Sequence, residues 1–278
     1  MPDHQQVFIE AGHGLLQINL PHANEEIMPD IKWGDVAGFP TIAYWLFKIL
    51  EKRIIGDPIN YKLGATLTEE IGACLLGGHG IPAANGIAAF KHMRDKGAFD
   101  GTCHSEQQLF SWLSEPIELN DKTFKYRFSR QKAKYLHHAI EKIKYDAAPT
   151  NSGKSLRNWL TEINGIGLKT ASWIARNWLG ADDVAILDIH IYRAGLLGGF
   201  FSESQKIEKD YLALEEKFIA LAHAMKVKTS ELDAVVWYEM QSTPHVHKQL
   251  LARNSQALSS AHYSSNNGRA NPYQLPTL

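Results

Sequence analysis

The segment that decides the fold is 155–195, SLRNWLTEINGIGLKTASWIARNWLGADDVAILDIHIYRAG. Leu156, Leu160 and Ile163 recur at helical spacing and predict a helix over 155–163. Asn164-Gly165-Ile166-Gly167 breaks that period. Two glycines around one apolar residue let the backbone reverse sharply while Ile166 is drawn into the core. A second helix is expected from Leu168, with Ala171, Ile174, Ala175 and Trp178 on its buried side. Val184–Leu187 reads as a strand-like run, and Ile189–Gly195 as a further helix.

This arrangement suits an anion. The amides of Gly165, Ile166 and Gly167, with the helix N-terminus behind them, make a phosphate site that needs no side-chain charge. An ordinary turn between helices, with glycine at the cap, uses the same residues. Lys169 adds chemistry, because it falls in the first turn of the second helix. The positive end of the dipole disfavours an ammonium there, and partial burial acts in the same direction. A neutral lysine is an amine nucleophile able to form a Schiff base, whereas a charged one is a solvent-facing or phosphate-contacting residue. Asp188 stands nineteen residues on, where a helix N-cap is expected. An N-cap carboxylate is held ionised and in one direction, so it can also stabilise a developing oxocarbenium or take a proton from the amine. His190 is placed either to meet a phosphate or to pack.

Outward from this segment, the 278-residue chain is 44% hydrophobic and can bury a substantial core. The opposing charges nearly cancel, 29 Lys and Arg against 30 Asp and Glu, so attraction to nucleic acid must come from local clustering. Lys122–Lys144 is such a cluster, or else a solvated helix face. Cys74 and Cys103 have neither metal-site nor redox spacing and are expected to be reduced. No apolar run spans a bilayer, and the first residues lack a basic, then apolar, signal pattern. An intracellular, cytoplasmic protein is expected.

The remaining periodicity is mostly helical. Two brief strands are expected at VFIEA (7–11) and LLQINL (15–20). Helices are predicted over 41–54, over 66–76 with Thr66 or Thr68 as cap, and over 86–99, 105–115 and 129–144. Two more are predicted over 202–225 and 229–241, the last capped by Thr229 or Ser230 with Glu231 in its first turn. The Ser- and Asn-rich stretch 253–278 reads as loose or docked as coil.

L-T-E-I-N-G-I-G-L-K-T-A (160–171), followed by L-D-I-H-I (187–191), resembles the signature of the helix-hairpin-helix, Gly/Pro-rich-loop, Asp superfamily of DNA glycosylases. Weaker similarity extends over about 60–250. The resemblance implies a mostly α, two-lobed fold with a small N-terminal addition. It divides the chain into a segment 1–60 packing on the helical core, a glycosylase core 61–252 and the tail 253–278. It assigns Lys169 as nucleophile, Asp188 as the catalytic acid, and Gly165, Ile166, Gly167 and His190 as phosphate contacts. Members with lysine here are bifunctional, displacing the base and then cleaving the strand by β-elimination.

The absence of cysteine after Cys103 excludes the iron–sulfur branches and leaves the 8-oxoguanine branch. In that branch a late-helix aromatic residue stacks on the extruded base and a polar residue four positions earlier reads its edge. Trp237 and Asp233 hold those positions, where the family more often has Phe and Gln. For Trp237, core packing is the alternative. The family's wedge loop corresponds to GGHGIPAAN (77–85), which leaves His79 or Asn85 to contact the orphan base, and Lys132 stands for an orphan-base arginine. Most of the large N-terminal β domain of the animal enzymes is expected to be absent.

The resemblance requires no cofactor and no catalytic metal, and admits a K⁺ or Na⁺ at the hairpin. The expected partner is DNA carrying a damaged or modified base. Two other functions fit parts of the pattern: a glycosylase for a different modified base or for single-stranded nucleic acid, and a non-catalytic hairpin module that only clamps DNA.

Overall fold

A computed structural model describes residues 4–12, 14–56, 62–78 and 80–243, together with Lys248 and Ala252. The tail 253–278 and His79 lie outside the described residues.

The chain opens with an antiparallel hairpin, β1 (His4–Ala11) and β2 (Gly14–Pro21), as the alternation predicts. A small second hairpin, β3 (Glu26–Met28) and β4 (Ile31–Lys32), leads into α1 (Ile42–Ile55). Thr41 caps α1 by accepting from the Tyr44 N–H. The helices α2 (Leu67–Leu76), α3 (Ala83–Asp95) and α4 (Glu106–Ser114) follow. Thr66 and Ser105 supply the caps of α2 and α4. Next come β5 (Pro116–Leu119) and β6 (Lys122–Lys125), then α5 (Ser129–Tyr145), α6 (Gly153–Leu160), α7 (Leu168–Leu179), α8 (Ile189–Leu197), α9 (Ile207–Ala224) and α10 (Thr229–Ser242).

These elements pack around two apolar cores. One joins α2 to α7, with Leu76, Met93, Leu109, Leu136, Leu160 and Ile174 near its centre. The other joins the N-terminal strands and α1 to α8, α9 and α10 through Leu20, Ile31, Trp45, Phe200, Phe218 and Val236. The chain passes from one to the other within two residues, since Val184 belongs to the first core while Ala185 and Leu187 belong to the second. The fold is mostly helical and two-lobed, as expected.

Several boundaries differ from the sequence expectation. Part of the basic stretch forms β6 rather than helix, because Asn120 and Asp121 take the left-handed backbone that a tight hairpin needs. The helix expected from Gly86 starts at Ala83, with Pro82 fixing the turn before it, so Asn85 is helical. The long helix expected from Ser202 begins at Ile207 and carries a non-helical residue at Asp210. Lys228 is the N-cap of α10, with Glu231 accepting its backbone N–H at 2.9 Å. Thr229 instead donates its hydroxyl to the Asp182 carbonyl at 3.0 Å. Residues 184–187 lie in no helix and pair with no strand. Cys74 and Cys103 are both free thiols.

Candidate active site

The hairpin forms as its residues require. Gly165 has φ +87, and a methyl there would run into the Tyr135 ring of α5. Ile166 is buried in the first core. His138, also on α5, accepts the Asn164 N–H through Nδ1 at 3.1 Å, so α5 supports the hairpin at two adjacent points. One expectation is corrected. The Ile166 N–H is taken by the Ile163 carbonyl at 3.1 Å, because the turn closes on itself. The groups left for an anion are those at the start of α7, whose N-cap Gly167 has no side chain to occupy them.

Lys169 and Asp188 face one open cleft of about 560 Å³, shared with Gly167, Leu187, His190, Tyr211 and Trp237. Lys169 lies in the first turn of α7 and is exposed, not partly buried as expected. Its chain neighbours Gly167, Leu168 and Thr170 are themselves exposed or half-buried. Asp188 caps α8, with Oδ1 accepting the N–H groups of His190 at 2.8 Å and Ile191 at 3.0 Å. Both cap bonds use Oδ1, so Oδ2 is not part of the cap.

A second, narrower cavity of about 300 Å³ adjoins the cleft, lined by Trp173, Arg176, Ile186, Asp188, Asp233, Ala234, Trp237 and Tyr238. Asp188 and Trp237 are walls of both spaces. Trp237 is 37% exposed, so it is not a core residue, and the His190 ring meets it edge-on at 6.4 Å. Asp233 is buried and bonds the Arg176 guanidinium through Oδ1. Burial pushes its carboxyl up to about 7, against the opposing pull of Arg176.

The residues that hold this geometry were not picked out from the sequence. Buried Glu215 on α9 pairs with Arg157 of α6. Its Oε1 also accepts the Ser172 hydroxyl of α7 at 3.2 Å and the Ala185 N–H at 3.0 Å. Tyr211, one turn earlier, donates its hydroxyl to the Ala185 carbonyl at 2.9 Å and accepts the Leu187 N–H at 3.3 Å. Burial keeps that phenol neutral, pushing it up to about 12. Residues 185–187 thus take their hydrogen bonds from side chains, which is why they need no neighbouring strand. A signal was present: Tyr211 and Glu215 sit four apart on the face that also carries Leu214 and Phe218.

Lys132 lies apart from the cleft. It donates to the Gly77 carbonyl at 3.2 Å, and burial lowers its pKa. It therefore ties α5 to the loop that precedes α3. Asn85 is half-buried in the first turn of α3. Among the described residues, no cluster of His, Cys, Asp and Glu is arranged to hold a metal ion, and no helix is long and apolar enough to cross a membrane.

Residues 60–227 match the family described as 8-oxoguanine DNA glycosylase. An 8-oxoguanine DNA glycosylase/AP lyase of Methanocaldococcus jannaschii is 35% identical over 129 residues, which are 45% of this chain and 62% of that one. One from Metallosphaera sedula is 34% identical over 154 residues, covering 51% and 72% respectively. In the first case the match spans less than two thirds of the relative. The crystal structure of the 8-oxoguanine DNA glycosylase of Thermotoga maritima superposes with a TM-score of 0.53 at 25% identity, over 70% of this chain and 95% of that one.

Proposed function

Because the chain belongs to the 8-oxoguanine DNA glycosylase family, we propose that it is a DNA glycosylase and AP lyase that removes an oxidised purine of the 8-oxoguanine type. The observation that carries this is the shared wall: Lys169 opens on the wide cleft, Asp233 lines the narrow cavity, and Asp188 and Trp237 belong to both. The lesion leaves the helix stack and enters the narrow cavity, where Trp237 stacks on it. The sugar stays in the cleft beside Lys169.

The Lys169 amine attacks C1′, and the bond from C1′ to the base breaks with its electron pair leaving on the base. Asp188 stabilises positive charge developing on the sugar and takes the proton that the amine sheds. The C1′–O4′ bond then breaks as Asp188 returns its proton to O4′, which turns the adduct into a Schiff base; this acidifies the C2′ hydrogen, the displaced base takes that proton, and the 3′ phosphate leaves with the C3′–O electron pair, cutting the strand. The start of α7 binds a backbone phosphate, with His190 beside it. Lys132 and Asn85 hold the loop that faces the opposite strand. No redox cofactor takes part. A K⁺ or Na⁺ suits the hairpin, because the Ile163 and Gly167 carbonyls each accept one amide and keep a second lone pair. Such an enzyme works where the DNA is, in the cytoplasm with the nucleoid if bacterial.

Borohydride trapping on duplex DNA containing 8-oxoguanine tests the reading. The parent protein is expected to give a covalent adduct and Lys169→Gln none. No adduct with either lesion-bearing or abasic DNA would remove the lyase claim and leave a DNA-clamping module. A second reading keeps the chemistry but changes the substrate to another modified base or to single strands. It is supported by an Asp at position 233 and by the small, apolar residues of the Gly77–Pro82 loop. A panel of single- and double-stranded lesion oligonucleotides separates the two readings.

A further inference from the structure

Helix α10 carries Asp233, Trp237 and Tyr238, which wall the narrow cavity, and it follows the matched residues 60–227. It is gripped by α1, which precedes them. Arg53 donates Nε to Glu231 Oε1 at 2.7 Å and Nη2 to Glu231 Oε2 at 2.6 Å. Tyr44 donates its hydroxyl to Glu239 Oε2 at 2.6 Å. The Lys52 ammonium stands over the Tyr238 ring, 4.5 Å from its centroid. These ties fall on 231, 238 and 239, so they bracket Asp233 and Trp237, and two of them hold the residues directly after Trp237. The gripping groups are themselves held. Tyr44 meets Phe39 and Trp45 edge-on, with ring centroids 5.3 and 5.1 Å apart. Glu231 also accepts the Lys228 N–H that opens α10. A forked arginine–carboxylate pair and a phenol on a carboxylate fix direction as well as distance. Trp237, at 37% exposed, takes little direction from the core, so its aim depends on how α10 is set.

We propose that α1 is the rail of the lesion cavity: Tyr44, Lys52 and Arg53 are positioning residues that act through α10 to keep Trp237 and Tyr238 in place as its wall. This rests on the proposed function and gives the N-terminal segment a part in it. None of the three is itself a wall of the cavity. The two tasks of the site then fall to different parts of the chain. Lys169 and Asp188 lie within the matched region and work on the sugar. The base is received by a helix outside that region, clamped by another outside it. An abasic site has no base to stack, so its cleavage uses the amine and the carboxylate without the wall. The rail is thus felt in base release far more than in abasic-site cleavage.

The test compares single-turnover rates of the parent, Tyr44→Phe and Lys52→Gln on duplex DNA containing 8-oxoguanine and on the same duplex with an abasic site. Tyr44→Phe keeps the ring and deletes one charge-assisted hydrogen bond, so base release is expected to fall about tenfold further than abasic-site cleavage. Lys52→Gln removes the cation over Tyr238 and is expected to show the same bias, by about threefold. Lys52→Arg, which keeps a cation there, is expected to restore the parent ratio. A residue that only held the fold together would lower both rates alike. Equal losses on the two substrates, or no loss on either, would therefore overturn the rail. Lys52 is only half-buried, so its variants carry the test even where Tyr44→Phe folds poorly. A parent that neither releases the base nor cleaves the abasic site overturns the proposed function itself, and that result is read before any variant is made.

Discussion

Glu215 accepts the backbone N–H of Ala185 at 3.0 Å, and Ala185 stands three residues before Asp188. The same carboxylate oxygen bonds Ser172, three residues after Lys169. One side chain on α9 therefore ties the helix of the amine to the segment of the carboxylate. Glu215→Ala is expected to lower stability by about 3–5 kcal/mol, since it leaves the Arg157 charge buried without its partner. Denaturant unfolding checks this. Glu215→Gln keeps an oxygen for Ala185 and is expected to retain more base-release activity per folded molecule than the alanine variant.

The proposed function gives Asp188 a charge role beside its observed cap role, and substitution can separate the two. Asparagine caps a helix about as well as aspartate does but carries no charge. Asp188→Asn is therefore expected to unfold at nearly the parent temperature while base release falls about 10²–10³-fold. Asp188→Ala is expected to lose about 1 kcal/mol of stability as well. A large drop in the melting temperature of the asparagine variant would show that the carboxylate serves mainly to hold the fold.

Trp237 stands at the cavity mouth and is 37% exposed, so its removal is expected to disturb the core little. Trp237→Ala is expected to weaken binding of lesion-bearing DNA by about 1–3 kcal/mol, and Trp237→Phe by less, because a smaller ring still stacks. Titration with lesion and undamaged duplexes measures the difference. Equal weakening on both would assign Trp237 to general DNA contact.

The charge on Asp233 gives a pH dependence. Around it stand Arg176 on α7, Asp182 between α7 and α8, and Asp188 across the cavity. Burial raises the carboxyl from 3.8 to about 7, and only the ionised form accepts a hydrogen bond through both oxygens. Base release is thus expected to rise through about pH 7 relative to abasic-site cleavage, and Asp233→Asn to flatten that ratio. For stability the sign runs the other way. The folded chain holds the proton more tightly, so this group's contribution is complete below 3.8 and is lost as pH rises through about 7.

Gly165 needs a backbone that side chains rarely adopt, and its missing Cβ is what lets Tyr135 approach. With the hairpin addressing phosphate rather than sequence, as proposed, Gly165→Ala is expected to weaken binding of damaged and undamaged DNA alike. A loss confined to lesion DNA would contradict that role.

What the sequence disclosed was local. Ile166 in the core, Lys169 at a helix start and Asp188 as an N-cap all follow from glycine placement, period and capping chemistry within a few residues. The β5–β6 hairpin was legible in principle, since Asn120-Asp121 lies between two four-residue strands, but its lysines drew attention to charge instead. Glu215 and Arg176 were not legible in the same way. Their partners stand 58 and 57 residues away, and in an alternating charged helix they read as solvated groups. Exposure of Lys169 was missed for a related reason, because its setting depends on what packs across the cleft.

The crossing of the chain between its two cores at Val184 and Ala185 bears on how the protein matures. The amine is carried by the first core and the carboxylate by the second, so neither half on its own holds both. On the proposed function, reactivity is then expected to arrive late in folding, with the docking of the halves. Under the proposed function, a partly synthesised or misfolded chain lacks the carboxylate beside its amine and is expected to carry no competent centre for cutting intact DNA.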